Sequence, residues 1–363
     1  MKIRIIIVFT LAFLNLTTCA QNSSKNKSYN IIVPDLNIPW GFTFLPDNSL
    51  LITEKAGKLL HFKNGITKEI SGLPEIYVRG QGGLMDIVLH PNYNENGWVY
   101  ISFASSAGNG KGGHTAIMRG KIKNSQFTDK QLLYKASPNS TSGQHFGSRL
   151  AFDNNGYLYF SIGERGDRDT NPQDITRDGG KIYRLHDDGR IPKDNPFYNA
   201  PNAKQAIYSY GHRNPQGLAI HPETGELWSH EHGPKGGDEI NIINKGKNYG
   251  WPKITYGRNY SGSKITDKTA LPGMEQPLHY WDPSIAPCGM VFISSDIYPK
   301  WKGNVLVGSL KFQYLDNIYL KNNTVTKEEK LLEGLGRLRS IGIGPDGYIY
   351  AGIENLGIVK INP

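Results

Sequence analysis

The chain has 363 residues, 38% of them hydrophobic and 20% charged, enough to bury a large core. Its formal charge of +9 permits an anionic partner. It holds no long Lys/Arg run and no nucleic-acid-binding motif, which sets nucleic acid aside.

At the N-terminus, MKIR is a basic start and IIIVFTLAFLNL a short apolar stretch. A membrane-spanning helix needs about 20 apolar residues, so this reads as an export signal. The stretch ends in LTTC (16–19), which resembles a bacterial lipobox with Cys19 as the lipidated residue. AQNSSKNKS then reads as a polar tether. Three segments follow: signal and lipobox (1–19), tether (20–29) and a single folded domain (30–363). The expected location is a lipid-anchored protein facing the periplasm or cell surface, touching the membrane only through the anchor. The alternative is ordinary cleavage and a soluble periplasmic protein. Cys288 is then the one cysteine of the body, so no intrachain disulfide is expected.

Within the body, 42 Gly with many Pro, Asn and Asp punctuate short runs of Val, Ile, Leu, Tyr and Phe, which points to β structure. One phrase recurs six times: apolar run, turn, apolar run. It is FTFLPDNSLLIT (42–53), IVLHPNYNENGWVYIS (87–102), LAFDNNGYLYFS (150–161), LAIHPETGELWS (218–229), VFISSDIYPKWKGNVLVGS (291–309) and IGIGPDGYIYAGI (341–353). Each reads as a β-hairpin with space after it for two further strands. The expected fold is all-β, a six-bladed β-propeller of four-stranded antiparallel blades.

In a hairpin, the start of the first strand lies beside the end of the second. Residues at those places share one rim of the ring. Before the first strands stand Trp40, Gln81, Gln144, His145, His212, Arg213, Asn214, Trp281, Ser284, Arg337 and Arg339. After the second strands stand Glu54, Lys55, Glu164, Arg165, Glu231, His232, Lys311 and Glu354. Chemistry-bearing side chains gather on that rim. Composition alone leaves enzyme and binding module equally open.

At these residues the sequence resembles the soluble PQQ (pyrroloquinoline quinone)-dependent aldose sugar dehydrogenases, relatives of soluble glucose dehydrogenase. The motifs are GQHFGSRLAF, SIGERG, GKIYRL, IPKDNPF, GHRNPQGLA, EHGPKGGDEIN, KNYGWP, SLK and GRLRSI, in family order over about residues 79–347. The resemblance implies PQQ and Ca2+ as cofactors, an aldose as substrate and an external electron acceptor. It assigns His145 as the base at the sugar C1 hydroxyl and Glu164 as the carboxylate that orients it. It places Gln81, Arg213, Asn214, His232, Lys311, Arg337 and Arg339 around PQQ, with Asp238 supporting the cofactor loop. Carbonyls of Gly233 and Pro234 would hold the calcium at PQQ, and Glu239 and Tyr249 a second, structural calcium. A monomer or weak dimer is expected.

The chain departs from the glucose enzymes at His232, where they carry Gln, and at Gln144, where they carry Asp. It also lacks some of their long insertions. A calcium-dependent propeller hydrolase or lactonase is the first competing reading; the cationic rim argues against it. A non-catalytic binding propeller is the second.

Overall fold

Each of the six phrases folds as strand, turn, strand, and each is the inner half of one antiparallel sheet. The computed structural model describes residues 28–363; Cys19 and the segments 1–19 and 20–27 lie outside them. Six four-stranded sheets are formed. Five use consecutive strands: blade 1 from Pro39–Phe44 to Ile66–Ile70, blade 2 from Leu84–Leu89 to Gln126–Lys135, blade 3 from Leu150–Phe152 to Ile207–Tyr210, blade 4 from Pro215–Ile220 to His279–Trp281, and blade 5 from Pro287–Phe292 to Thr324–Leu331. Blade 6 takes three strands from the C-terminus, Leu338–Ile343, Ile349–Ile353 and Gly357–Ile361. Its outer strand is Tyr29–Pro34, paired antiparallel with Gly357–Ile361. The first and last of the described strands thus close the ring within one sheet, a pairing the repeat count does not reveal.

Alternation within each blade sends apolar side chains to both faces, and each face is buried against the next blade. Hydrophobic clusters accordingly sit between blades. Leu51, Leu59, Leu84 and Ile101 join blades 1 and 2. Ile117, Phe160 and Tyr183 join blades 2 and 3. Trp228, Val305 and Val307 join blades 4 and 5, and Leu50, Ile52 and Ile358 join blades 6 and 1. Burial of this kind yields roughly 25 cal/mol per Å² and is the main term holding the ring.

Polar stitches run nearer the axis. Ser102 Oγ donates to the Ser148 carbonyl at 2.6 Å, Ser161 Oγ to Pro215 at 3.0 Å and Ser340 Oγ to Pro39 at 3.2 Å, each from one blade to the next. On the axis, Arg149 pairs with Asp86 at 3.0 Å and stacks on Trp40, 4.3 Å from the ring centroid. Arg149, which closes the polar run GQHFGSR before the strand, is therefore an internal cation of the hub. Cys288 is buried beside it with a free thiol.

Candidate active site

The rim is built by strand ends. His145 precedes the first strand of blade 3, and Glu164 follows the second. His145 Nδ1 donates to Glu164 Oε1 in a short hydrogen bond. Both side chains are buried. His145 has φ 54°, in the left-handed region, which is uncommon outside glycine. Its neighbours impose that conformation. The His145 N–H donates to Gln81 Oε1 at 2.7 Å, and the Gly147 N–H donates to Asn214 Oδ1 at 3.1 Å. Gly163 of SIGERG passes so close that a Cβ there would lie 2.4 Å from the His145 carbonyl and 2.6 Å from Asn214 Oδ1. The glycine lets the Glu164 strand approach.

Burial holds His145 below the ordinary imidazole pKa. The bond to Glu164 works in the opposite direction, and the Arg213 charge adds to the lowering. Two polar atoms here are buried without a partner, Glu164 Oε2 and Asn214 Nδ2. Such atoms are costly unless something supplies the missing bond.

Beside this pair lies a cavity of about 390 Å³ at the mouth of the ring. Gln81, Asn214, His232, Arg337 and Arg339 line it, together with Trp40, Lys55, Gln216 and Glu354. Arg337 and Arg339 both pair with Glu354. Lys55 Nζ donates to the Gly80 carbonyl at 2.7 Å. Its pKa is lowered by burial and then by Arg339. Lys311 is exposed, with its ammonium 4.8 Å from the Phe312 ring centroid; it stands outside the cavity wall.

Arg213 points the other way round the rim. Its Nη1 donates to the carbonyls of His232 at 2.9 Å and Gly233 at 2.8 Å. Asp238 braces the same loop, accepting from the Gly233 N–H and the Ala286 N–H, each at 2.7 Å. Burial raises its pKa to about 6. His232 Nε2 donates to the Pro287 carbonyl at 2.7 Å, and burial takes that imidazole well below its ordinary pKa.

A second, small gap of about 10 Å³ lies behind this loop, between Glu231, Gly233, Gly237, Glu239, Tyr249 and Thr255. That is the size of one water or one ion. Glu231 and Glu239 face each other across neighbouring strands. Burial first and the Glu231 charge second push Glu239 up to about 8. The Tyr249 hydroxyl is already engaged, donating to the Ile242 carbonyl at 2.6 Å and accepting from the Asn244 N–H at 2.8 Å. Among the described residues, no three His, Cys, Asp or Glu side chains converge as a metal cluster.

With this geometry in place, the comparisons with known proteins decide the family. The glucose/sorbosone dehydrogenase model matches residues 36–359. The chain belongs to that family. Within it, the chain is 39% identical to the aldose sugar dehydrogenase YliI of Escherichia coli, over 98% of each chain. It is 33% identical to quinoprotein glucose dehydrogenase B of Acinetobacter calcoaceticus, over 69% of this chain and 58% of that one. The apo crystal structure of the E. coli soluble aldose sugar dehydrogenase superposes with a TM-score of 0.88, covering 92% of this chain and 99% of that one. The PQQ-bound aldose sugar dehydrogenase of Streptomyces coelicolor superposes with a TM-score of 0.76 at 29% identity, covering 92% and 96%. Membership in this glucose/sorbosone dehydrogenase family, that of the PQQ-dependent soluble sugar dehydrogenases, makes the chain an oxidoreductase of that type.

The structure brings the sequence-derived residues to one rim in three groups: the His145–Glu164 pair, the cavity wall with Gln81, Asn214, His232, Arg337 and Arg339, and the Gly233–Pro234 loop with Arg213, Asp238 and the gap at Glu239 and Tyr249 behind it; Lys311 stands apart from these, exposed. Lys55, Gln216 and Glu354 line the cavity with no role assigned from sequence. Gln216 was detectable, since it follows Asn214 by two positions and shares its face.

Proposed function

We propose that the chain is a PQQ- and Ca2+-dependent aldose 1-dehydrogenase, which oxidises a sugar at C1 to the lactone and delivers electrons to an external acceptor. The observation that supports it most is the His145–Glu164 pair. With Nδ1–H given to Glu164, the other ring nitrogen keeps its lone pair and is the basic one.

The residues fit the cofactor. The cavity wall carries Lys55, Arg337 and Arg339, while Asn214 keeps an unpartnered buried donor. Arg and Lys suit carboxylates. Gln81, Asn214, His232, Arg337 and Arg339 of the cavity wall would hold PQQ, with Arg213 from the adjoining loop and Lys311, whose exposed side chain would have to swing in from outside the wall; Asp238 fixes the loop that borders it. Gly233 and Pro234 would hold one calcium by their carbonyls, an oxygen donor set suited to that ion. The Gly233 carbonyl already takes an Arg213 N–H and has a second lone pair to give. Glu239 and Tyr249 border the ion-sized gap where a second calcium would sit. PQQ, when bound, would supply a quinone that accepts the hydride released at C1, and with it the two electrons of the oxidation.

The protein's own work is proton handling and orientation. His145 Nε2 takes the proton of the C1 hydroxyl, and Glu164 fixes the tautomer and stabilises the imidazolium. Burial keeps His145 in its base form near neutrality.

Export and lipidation at Cys19 are part of this proposal. The fold is entered at Tyr29, which pairs with Ile361 at the turn end of blade 6, opposite the rim. A tether from Cys19 therefore meets the face away from the site. The site then opens away from the membrane, toward sugar and acceptor, in a monomer or weak dimer.

The test is an equilibrium titration of apoprotein with PQQ, in calcium and in chelator, followed by dye reduction over a panel of sugars. Saturable binding that needs calcium, with turnover only on sugars having a free C1 hydroxyl, is the expected result. Absence of PQQ binding under both conditions overturns the proposal.

A further inference from the structure

Glu354 is the acidic residue of the cavity wall, and its carboxylate sits between two guanidinium groups. Its Oε2 accepts from Arg337 Nε at 2.7 Å. Its Oε1 accepts from Arg339 Nε at 3.0 Å and, in a short bond, from Arg339 Nη2. The carboxyl side chain is 9% exposed, against 45% for Arg337 and 13% for Arg339. The main chain reinforces the placement, with the Glu354 N–H donating to the Arg337 carbonyl at 3.0 Å. Lys55 is a third cation near enough to be influenced by both Arg339 and Glu354. One end of the cavity therefore holds three cations around a single internal anion.

Which edges the carboxylate occupies matters. A guanidinium presents five N–H donors, and a carboxylate can dock on the Nε edge or on the terminal fork. Glu354 takes the Nε edge of both arginines. Of the remaining donors, Arg337 Nη1 gives one bond to the Leu310 carbonyl at 3.0 Å, and Arg339 Nη1 lies 3.7 Å from Cys288 Sγ. The terminal edges keep N–H groups for an incoming anion. Without the clamp, two arginines separated by one residue would repel and sample many rotamers, and a ligand would have to order them.

We propose that Glu354 is a positioning residue for anion recognition. It holds Arg337 and Arg339 by their Nε edges, so that their terminal edges form a preset receptor for a carboxylate, and its charge keeps the three cations together in the empty cavity. The inference rests on the reading that this cavity takes PQQ, whose carboxylates would meet the two arginines. The opposite role is a competing anion that the cofactor must displace. The two roles differ in the sign of one measurement.

The experiment is titration of wild type, Glu354→Gln and Glu354→Asp with PQQ at fixed calcium, followed by absorbance or tryptophan quenching, with thermal melts on the same samples. Loss of the clamp should weaken PQQ binding about tenfold or more in Glu354→Gln, and about threefold in Glu354→Asp, which keeps the charge on a shorter arm. Unchanged or tighter binding by folded Glu354→Gln overturns the clamp. If that variant does not fold, Glu354→Asp decides alone, and unchanged or tighter binding by it has the same force. No PQQ binding by wild type overturns both this inference and the functional reading; normal wild-type binding with unaltered variants overturns this inference alone.

Discussion

His145 and Glu164 stand nineteen positions apart in sequence, yet the imidazole Nδ1 donates directly to the carboxylate in the buried floor of the rim. The contact exists because they flank one hairpin, His145 before its first strand and Glu164 after its second. Arg213 acts on the same imidazole with opposite sign.

These opposing influences give a pH test. Burial places the His145 pKa below the ordinary value of about 6.5, so the acid limb of kcat/KM in wild type should fall below that pH. Glu164→Gln removes the influence that raises the pKa, so its limb should move to still lower pH while the rate drops. Removing the Arg213 charge should move the limb up. Profiles at saturating PQQ check this, and a wild-type limb above 6.5 contradicts it.

Arg213→Ala should weaken PQQ binding by about 1.5–3 kcal/mol, the range for a hydrogen bond to a charged group. It should also lower the melting temperature of the apoprotein, because Nη1 supports the His232 and Gly233 carbonyls. Titration and melts together check it. Normal PQQ affinity in the folded variant would remove Arg213 from the cofactor set.

Calcium should stabilise the fold through the gap at Glu231 and Glu239, where a buried and a half-buried carboxylate are paired across neighbouring strands. Chelation should lower the melting temperature by about 3–8 °C, with recovery on re-addition. Glu239→Gln should lose most of that increment. Equal melts with and without chelator in wild type would rule out a structural ion there.

Cys19→Ser should abolish lipid attachment and release the protein from the membrane fraction. Metabolic labelling with a fatty acid and fractionation measure both, and unchanged labelling refutes the lipobox.

The hairpins were legible because turn chemistry and apolar runs are local, and the rim followed from strand direction alone. The pairing of Tyr29–Pro34 with Gly357–Ile361 was not, because it joins residues more than 300 positions apart and leaves no periodic trace. Asp238, placed at the cofactor loop by the family resemblance, accepts from two main-chain N–H groups, those of Gly233 and Ala286. The sharing of Glu354 by Arg337 and Arg339 was not legible, since a strand-end position does not say which side chains pair; only side-chain geometry tells which edge is taken. Lys311 reaches the rim by its strand-end position, and its side chain lies exposed beside Phe312. A strand-end position fixes the rim but leaves a long flexible side chain undetermined.

The measurement that bears most directly on the proposed chemistry is the turnover of His145→Ala with saturating PQQ, calcium and sugar, read by dye reduction. The expected result is retained PQQ binding with kcat reduced about 10²–10⁴-fold, the range for a positioned general base. Glu164→Gln should lose less, and the double variant should fall well short of the product of the two losses, because the residues act as one unit. Near-wild-type turnover in folded, PQQ-bound His145→Ala would contradict the assignment of His145 as the base.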